Sequence, residues 1–234
     1  MYRYDIHVHT METSRCGHLK AQEIVAGYKQ LGYDGICITD HLHDLYISLM
    51  DCRDDWQACM DRFVYGFREA KKAGDALGLS VLFGVELRFP ENDSDYLIYG
   101  VDERWMRENP YICNMDHESF FRRFGKELLI IHAHPYRKCD EVFYDCVHGL
   151  EIANCNPRHD SRNHMALKLA KENPHLLRVC GSDMHRPGDE GQAAVLLAEP
   201  VHNSFELKAA LESQAFRLWC PGFRDIIEES GVGI

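Results

Sequence analysis

The apolar positions of this chain form short, nearly continuous runs that are separated by amphipathic segments. Such runs are typical of strands covered on both faces. Strands are predicted at residues 4–9, 35–40, 80–89, 95–101, 128–135, 149–155, 178–183 and 193–198. Apolar spacings of three and four predict helices at residues 19–32, 54–77, 102–107, 117–125, 160–172 and 204–213. This alternation predicts an α/β fold built as a single β/α barrel, with the tail after residue 216 wrapped over the surface.

The overall charge narrows the kinds of ligand that the chain is expected to bind. Its 234 residues include 26 Lys and Arg against 37 Asp and Glu, which gives a net charge of −11. A protein that grips long nucleic acid needs a basic stripe, so this charge argues against such a partner. A small anionic substrate stays compatible, because a metal ion or a few arginines can reverse the sign locally.

Hydropathy and cysteine usage indicate the cellular compartment in which the protein is expected to lie. The sequence has no apolar run of about 20 residues, the length of a membrane span. A strand pattern begins almost at Met1, where a signal peptide would otherwise stand. We therefore expect a cytoplasmic protein without a membrane partner. The ten cysteines include no C-x-x-C pair, and in a reducing compartment they are expected to be free, mostly buried thiols.

Residues 4–10 read YDIHVHT and place two histidines one residue apart in a predicted strand. Alternate side chains of a strand point to the same face, so His7 and His9 are expected to lie side by side. A lone strand histidine is commonly a hydrogen-bonded core residue, whereas two buried imidazoles must each find a partner. A divalent metal ion would satisfy both, and from this pair alone a metal site and a core role are equally open.

Residues able to bind a metal recur at the ends of other predicted strands. The segments that carry them are TDH at 39–41, GVE at 84–86, HAHP at 132–135 and GSDMH at 181–185, together with Asp95. A β/α barrel gathers the carboxyl ends of its strands at one mouth. We therefore expect imidazoles and carboxylates from several segments to converge on one pocket.

The combination of HVHT, TDH, GVE, AHP and GSDMH resembles the PHP (polymerase and histidinol phosphatase) family, from residue 5 to about residue 191. The resemblance implies a distorted (β/α)7 barrel, TIM-like, that comprises residues 1–234 as one domain. It also implies a phosphoesterase site at the barrel mouth with two or three divalent metal ions, drawn from manganese, iron and zinc.

The same resemblance implies a set of metal ligands. The residues at the matching positions are His7, His9, His41, Glu86, Asp95, His134, Asp183 and His185. Glu86 would bridge the first ion to the second, and Asp95 and His134 would complete the second site. Many relatives carry a histidine where Asp95 stands, and a carboxylate there favours manganese or iron(II) somewhat over zinc.

The third ion would use His41 and His185, and its last ligand is open. Relatives commonly carry Asp or His where Ser14 and Arg15 stand in this sequence. Glu12 or His18 is expected to substitute, or else the third ion binds weakly.

The activity that the resemblance implies is hydrolysis of a small phosphomonoester, such as a nucleotide, histidinol phosphate or a sugar phosphate. The nucleophile would be a hydroxide bridged by the ions near Glu86. Arg186 is expected to clamp the substrate phosphate, with Arg137 as the second choice. The general acid is open between His185 and a metal-bound water.

Two alternatives stay open. Amidohydrolase barrels also begin with H-x-H and end with an aspartate, although their usual bridging lysine has no counterpart at a strand end here. A non-catalytic PHP module that has lost metal ligands is the other alternative. A phosphatase assay run beside an amide panel distinguishes a phosphoesterase from an amidohydrolase. Metal analysis of the purified protein distinguishes a metal enzyme from a non-catalytic module.

Overall fold

Strands and helices alternate through the chain, as the apolar pattern predicts. The computed structural model describes residues 1–232. The strands are β1 (Tyr2–Val8), β2 (Gly35–Ile38), β3 (His41–Leu42), β4 (Ser80–Phe83), β5 (Val85–Arg88), β6 (Asp95–Tyr99), β7 (Leu129–Ala133), β8 (Gly149–Asn154), β9 (Leu177–Gly181), β10 (Ala194–Leu197) and β11 (Phe216–Trp219). The helices are α1 (Ala21–Gln30), α2 (Asp44–Leu49), α3 (Trp56–Phe63), α4 (Tyr65–Leu77), α5 (Glu103–Glu108), α6 (His117–Phe124), α7 (Asn163–Glu172), α8 (Ser204–Glu212) and α9 (Arg224–Ser230).

The strands form two mixed sheets. One has the order β11-β10-β1-β2-β4 and the other the order β3-β5-β6-β7-β8-β9. The pairs β1–β2, β2–β4, β7–β8 and β8–β9 are parallel, as the predicted β/α alternation requires. The pairs β5–β6, β6–β7, β1–β10 and β10–β11 are antiparallel. The predicted α/β class is therefore confirmed, while the sheets are mixed rather than parallel throughout.

The antiparallel β5–β6 pair follows from the shortness of its connection. The segment 89–94 is too short for a helical crossover, which needs a dozen or more residues. Asn92 closes this turn, because its side-chain oxygen accepts a hydrogen bond from the backbone N–H of Ser94 at 2.9 Å. The chain therefore reverses here and lays β6 beside β5 as a hairpin.

The helix predicted at 54–77 is two helices, α3 and α4, and the side chain of Thr13 marks the break. The Thr13 hydroxyl donates to the carbonyl oxygen of Phe63 at 2.9 Å and accepts from the backbone N–H of Gly66 at 3.2 Å. These two groups are thereby diverted from the helical ladder, which is a recognised cause of helix breaks. The strand predicted at 80–89 is also two strands, since β4 pairs with β2 and β5 pairs with β3 and β6.

Two expectations from the sequence are wrong. The tail after residue 216 is not a surface wrap, because it forms edge strand β11 beside β10 and helix α9, which contacts α7. The expectation of free thiols fails for four cysteines, which pair as Cys52–Cys59 and Cys155–Cys220. The second pair joins positions 65 residues apart, a proximity that only the packing of the sheet against the tail creates. The free thiols in residues 1–232 are those of Cys16, Cys37, Cys113, Cys139, Cys146 and Cys180.

None of the helices in residues 1–232 combines the length and the apolar character needed to cross a bilayer.

Candidate metal centre

The structure brings together all eight residues predicted as metal ligands. Within the described residues, nitrogen and carboxylate oxygen atoms lie within 4.8 Å of one another in four overlapping groups. These groups are His7–His9–Asp183, His7–Glu86–His134, His41–Glu86–Asp95 and His9–His41–His185. Four of the residues lie in β1, β3, β5 and β6, and the other four lie in the segments that follow β1, β7 and β9. Convergence of strand ends therefore produces one continuous cluster.

The carboxylate of Glu86 lies at the middle of this cluster. Its Oε1 is 3.0 Å from His134 Nε2 and 3.4 Å from His7 Nε2. Its Oε2 is 2.7 Å from His41 Nδ1 and 3.2 Å from His9 Nε2. Glu86 is 1% exposed. The side chain therefore stands between four imidazoles, in the position expected of a bridging ligand.

Asp183 is the second carboxylate of the cluster. Its Oδ1 lies 3.4 Å from His7 Nε2, 3.2 Å from His9 Nε2 and 3.3 Å from His185 Nδ1. Its Oδ2 accepts a hydrogen bond from Arg137 Nη1 at 2.7 Å. Asp183 has a φ of 53°, in the left-handed region that non-glycine residues seldom adopt. Such a backbone costs on the order of 1–3 kcal/mol, which the surrounding contacts must offset.

The buried polar atoms of the cluster fit a bound cation. His7 Nε2, His9 Nε2, His41 Nδ1 and Glu86 Oε2 are buried and have no hydrogen-bond partner in the described part of the chain. A buried polar atom without a partner costs on the order of 1–3 kcal/mol. A divalent ion would satisfy all of these atoms, and imidazole with carboxylate is a donor set that suits zinc, iron and manganese.

The charges of the cluster also favour a cation. Burial by itself would raise the pKa of Glu86, but the adjacent His41 and His7 outweigh it and hold that pKa well below its usual value. Burial likewise opposes ionisation of Asp183, while His7 and Arg137 hold its pKa well below the usual value. Burial and the neighbouring His185 and His41 lower the pKa of His9 far below its usual value. The ionised carboxylates and the uncharged His9 are in the state that metal binding requires. Burial would lower the pKa values of His7, His41 and His185, but the neighbouring carboxylates outweigh it and raise them, so a bound ion would displace protons from these imidazoles.

Glu151 supports the cluster from behind, and the sequence analysis missed it. Its Oε1 accepts a hydrogen bond from His7 Nδ1 at 2.9 Å. Its Oε2 accepts from the backbone N–H of His134 and from Asn154 Nδ2, each at 2.9 Å. Glu151 is fully buried in β8. The signal was available, because Glu151 is the lone charged residue in the apolar run GLEIANC at 149–155.

Asp40 and Ser14 support the other side of the cluster. Asp40 Oδ1 accepts hydrogen bonds from the Ser14 hydroxyl at 2.6 Å and from the backbone N–H of Thr10 at 2.8 Å. The Ser14 hydroxyl accepts from the backbone N–H of His41 at 3.1 Å and lies 3.4 Å from His9 Nδ1. Ser14 therefore holds His9 and His41 in place.

Neither residue considered as the last third-site ligand makes contacts of that kind. The Glu12 carboxylate accepts from the backbone N–H of Ala21 at 3.0 and 3.1 Å, at the start of α1. His18 is exposed. The side chain that reaches the site is Cys16, whose Sγ lies 3.1 Å from His185 Nε2. Burial would raise the pKa of the Cys16 thiol, but hydrogen bonds with His185 and His41 outweigh it and lower the pKa to about 5.

Asp95 lies at the edge of the cluster and is shared with two cations. Its Oδ1 accepts from Arg88 Nε at 2.7 Å, and its Oδ2 accepts from Arg88 Nη2 at 3.0 Å and Lys138 Nζ at 2.7 Å. The same Oδ2 lies 3.9 Å from His134 Nε2. An ion bound at Glu86 and His134 would therefore compete with Arg88 and Lys138 for this carboxylate.

A cavity of about 570 Å³ opens above the cluster. Five of its lining residues are cationic, namely Arg88, Arg137, Lys138, Arg158 and Arg186. Arg137 is tied to Asp183, and Arg158 is tied to Asp189. The Arg186 side chain is exposed and has no ion pair with the described residues. The cavity thus has a positive rim above an anionic floor, with one guanidinium free to meet an anion.

Comparisons with known proteins bear on what such a site does. Residues 5–194 match the sequence model of the PHP domain. No curated protein matches the chain.

The fold is similar to three solved structures. The first is a two-domain protein from Bacteroides vulgatus that contains a predicted PHP-like metal-dependent phosphoesterase. It is 16% identical, with a TM-score of 0.66 over 98% of this chain and 68% of that one. The second, from Bifidobacterium adolescentis, is provisionally assigned as a metal-dependent phosphoesterase. It is 18% identical, with a TM-score of 0.50 over 89% and 95% of the two chains.

The third is an amidohydrolase from Chromobacterium violaceum with bound sulfate and no metal. It is 17% identical, with a TM-score of 0.55 over 95% of this chain and 99% of that one. At these identities the three likenesses show a shared fold.

Proposed function

Because the chain belongs to the PHP domain family, we propose that it is a metal-dependent phosphoesterase that hydrolyses a small phosphomonoester. The observation that carries the proposal is the position of Glu86. Its carboxylate stands among four imidazoles below a cavity with a cationic rim. This arrangement suits ions that share one carboxylate and face a phosphoryl group.

The ligands would divide among three ions, with Glu86 shared by two of them. His7, His9 and Asp183 would hold the first together with Glu86, which would also reach the second. The second would add His134 and Asp95, and the third would use His41 and His185. When bound, such ions acidify a water molecule and neutralise the charge that develops on the phosphoryl group.

The protein's own side chains would position the substrate. Arg186 would donate to the phosphate oxygens from the rim, because its guanidinium has no ion pair with the described residues. Arg137 would serve the phosphate less directly, since its Nη1 already donates to Asp183. It would therefore help to fix that carboxylate and add positive charge beside the substrate.

Protonation of the leaving oxygen would involve His185. Its Nδ1 lies 2.8 Å from the backbone carbonyl oxygen of Asp183, which can only accept a hydrogen bond. Nδ1 therefore carries a proton, and Nε2 faces the cavity beside Cys16. His185 Nε2 would either donate a proton itself or, as a metal ligand, leave that task to a water molecule.

The size and charge of the cavity support a small substrate. A volume of about 570 Å³ suits a nucleotide, histidinol phosphate or a sugar phosphate. The net charge of −11 does not favour long nucleic acid.

We also propose that the two sheets belong to one distorted barrel, a proposal supported by the parallel bridge between Val8 and Met184. A cytoplasmic location and a single domain stay predictions.

An activity screen tests this function. The purified protein is stripped with a chelator, reloaded with manganese, iron(II) or zinc, and assayed on phosphorylated metabolites and on an amide panel. We expect phosphate release that the chelator abolishes and the metal restores.

Variants show whether the measured activity belongs to this protein or to a contaminating enzyme. His9→Ala and Asp183→Asn should abolish turnover, whereas Asp225→Asn, on the exposed side of α9, should retain it. Amide hydrolysis without phosphate release would replace the proposal with the amidohydrolase alternative. A protein that binds no metal and hydrolyses neither class would be a non-catalytic module.

A further inference from the structure

We infer that Cys16 is a metal ligand, and that Cys16, His41 and His185 form a sulfur–imidazole site at one end of the cluster. The inference rests on the proposed function, since it assigns one position of the same centre. It differs in chemistry, because a thiolate selects zinc or another thiophilic ion, whereas the carboxylate-rich end around Glu86 and Asp95 suits manganese or iron(II).

The first observation is the placement of the Cys16 side chain. Its Sγ lies 3.1 Å from His185 Nε2 and 3.5 Å from the hydroxyl of Tyr46. His185 Nδ1 lies 2.8 Å from the carbonyl oxygen of Asp183 and so carries a proton. Nε2 is consequently the nitrogen available to a metal, and the sulfur lies beside it.

The loop that carries Cys16 is held against the site by backbone hydrogen bonds. The N–H of His18 donates to the carbonyl oxygen of His185 at 2.7 Å, and the N–H of Gly17 donates to that of Ser14 at 2.8 Å. A Cβ on Gly17 would lie 2.8 Å from the backbone of Thr10, so the chain packs too closely there for a side chain. The thiol therefore reaches the cavity from a loop bonded to the segment that bears His185.

The second observation is independent of the cysteine. His41 Nδ1 is buried and has no hydrogen-bond partner among the described residues. His9, His41 and His185 each offer a ring nitrogen within 4.8 Å of the other two. The ring of His9 lies 4.4 Å from that of His41 and 4.3 Å from that of His185, centroid to centroid. Three imidazoles thus converge at this end of the cluster, and the Cys16 sulfur lies 3.1 Å from Nε2 of one of them, His185, where it would add a fourth donor.

Binding at this site releases a proton. The hydrogen shared between Cys16 Sγ and His185 Nε2 goes to solvent, and lone pairs on the two atoms form the bonds to the divalent ion. No oxidation or reduction takes place, and the change in charge is carried by the released proton.

Cobalt(II) spectroscopy tests the inference directly. The stripped full-length protein is titrated with cobalt(II), and thiolate ligation is detected as a sulfur-to-cobalt charge-transfer absorption in the near ultraviolet. We expect this absorption in the wild type and in the control Cys146→Ser, whose thiol lies in the loop before β8, away from the cluster. It should be absent from Cys16→Ser and from Cys16→Asp.

Metal content provides the second readout. After zinc loading and removal of free metal, Cys16→Ser should contain one zinc ion fewer per chain than the wild type. Cys16→Asp, which keeps an anionic ligand, should recover most of the lost metal. Circular dichroism of both variants checks the fold, which a substitution in the loop before α1 should not disturb.

The outcomes separate this inference from the proposed function. Cobalt binding without the charge-transfer absorption, or with one that survives in Cys16→Ser, overturns the role of Cys16 while phosphate release by the loaded protein is untouched. A wild-type protein that binds no cobalt and releases no phosphate overturns both.

Discussion

The Nδ1 atom of His7 lies 2.9 Å from Oε1 of Glu151, although the two residues are 144 positions apart in the chain. Both side chains are fully buried. A carboxylate can only accept, so Nδ1 carries the proton and Nε2 is left to face Glu86 and Asp183. A buried carboxylate behind a histidine fixes the tautomer and orientation that a metal ligand needs.

Glu151→Gln should weaken metal binding. The amide keeps the shape of the side chain but turns an N–H group toward His7 Nδ1 or toward the donors of His134 and Asn154. We expect the affinity for the tightest-bound ion to fall by about 10- to 100-fold, as measured by competition with a chelating dye. Glu228→Gln, at an exposed position of α9, is the matched control. Equal affinities in the two variants would show that Glu151 does not support the site.

Arg186→Ala should impair substrate binding more than turnover. Its guanidinium lines the cavity without an ion pair to the described residues, so its hydrogen-bond donors are available to phosphate. We expect KM for a phosphomonoester to rise about tenfold, because a hydrogen bond to a charged group contributes roughly 1.5–3 kcal/mol and exposure reduces it. Initial rates and inhibition by inorganic phosphate measure the effect, with exposed Arg224→Ala as the control. An unchanged KM would remove Arg186 from the phosphate site.

Asp5→Asn should change how stability depends on pH. Burial raises the pKa of Asp5 from 3.8 to about 6, against hydrogen bonds from Ser182 and Tyr28 that lower it. A raised native pKa means that the stabilising contribution is present at low pH and is lost as the pH rises through about 6. We therefore expect the unfolding free energy of the wild type, relative to Asp5→Asn, to fall by up to about 3 kcal/mol between about pH 4 and pH 7.

Urea unfolding with a chelator present measures that difference. Working with the difference between two proteins cancels the titration of Glu86 and Asp183, whose lowered pKa values act with the opposite sign. The exposed Asp225→Asn variant is the control for the substitution itself. A flat difference for Asp5→Asn would contradict the prediction.

Gly181→Ala should disturb both stability and metal binding. A Cβ at Gly181 would lie 2.5 Å from His7 Cβ and 2.6 Å from Glu151 Oε1, so both side chains would have to shift. We expect a loss of about 1–3 kcal/mol in unfolding free energy, together with weaker metal binding in the dye competition. At Gly222 a Cβ meets nothing within 4 Å, so Gly222→Ala should match the wild type in both measurements. A Gly181→Ala protein with native affinity would show that His7 tolerates displacement.

Much of the fold followed from local patterns. Apolar runs and helical spacings lie within short segments, so β1, β7 and β8 could be predicted close to their observed bounds. The PHP resemblance is confirmed by the match to the PHP domain. It could be recognised from the sequence because its motifs are short, local strings at strand ends. The errors arose where distant residues intervene. Thr13 divides the helix predicted at 54–77, and the tail after 216 becomes a strand only because β10 offers it an edge.

For the site, the sequence alone determined which residues can donate to a metal and that strand ends carry them. Tertiary structure decided which atoms meet. It placed Glu151 behind His7, made Ser14 a support, paired Asp95 with Arg88 and Lys138, and brought Cys16 to His185. The physical reason is that a donor's chemistry belongs to its own side chain, whereas its partner is set by packing between segments that the sequence does not list as neighbours.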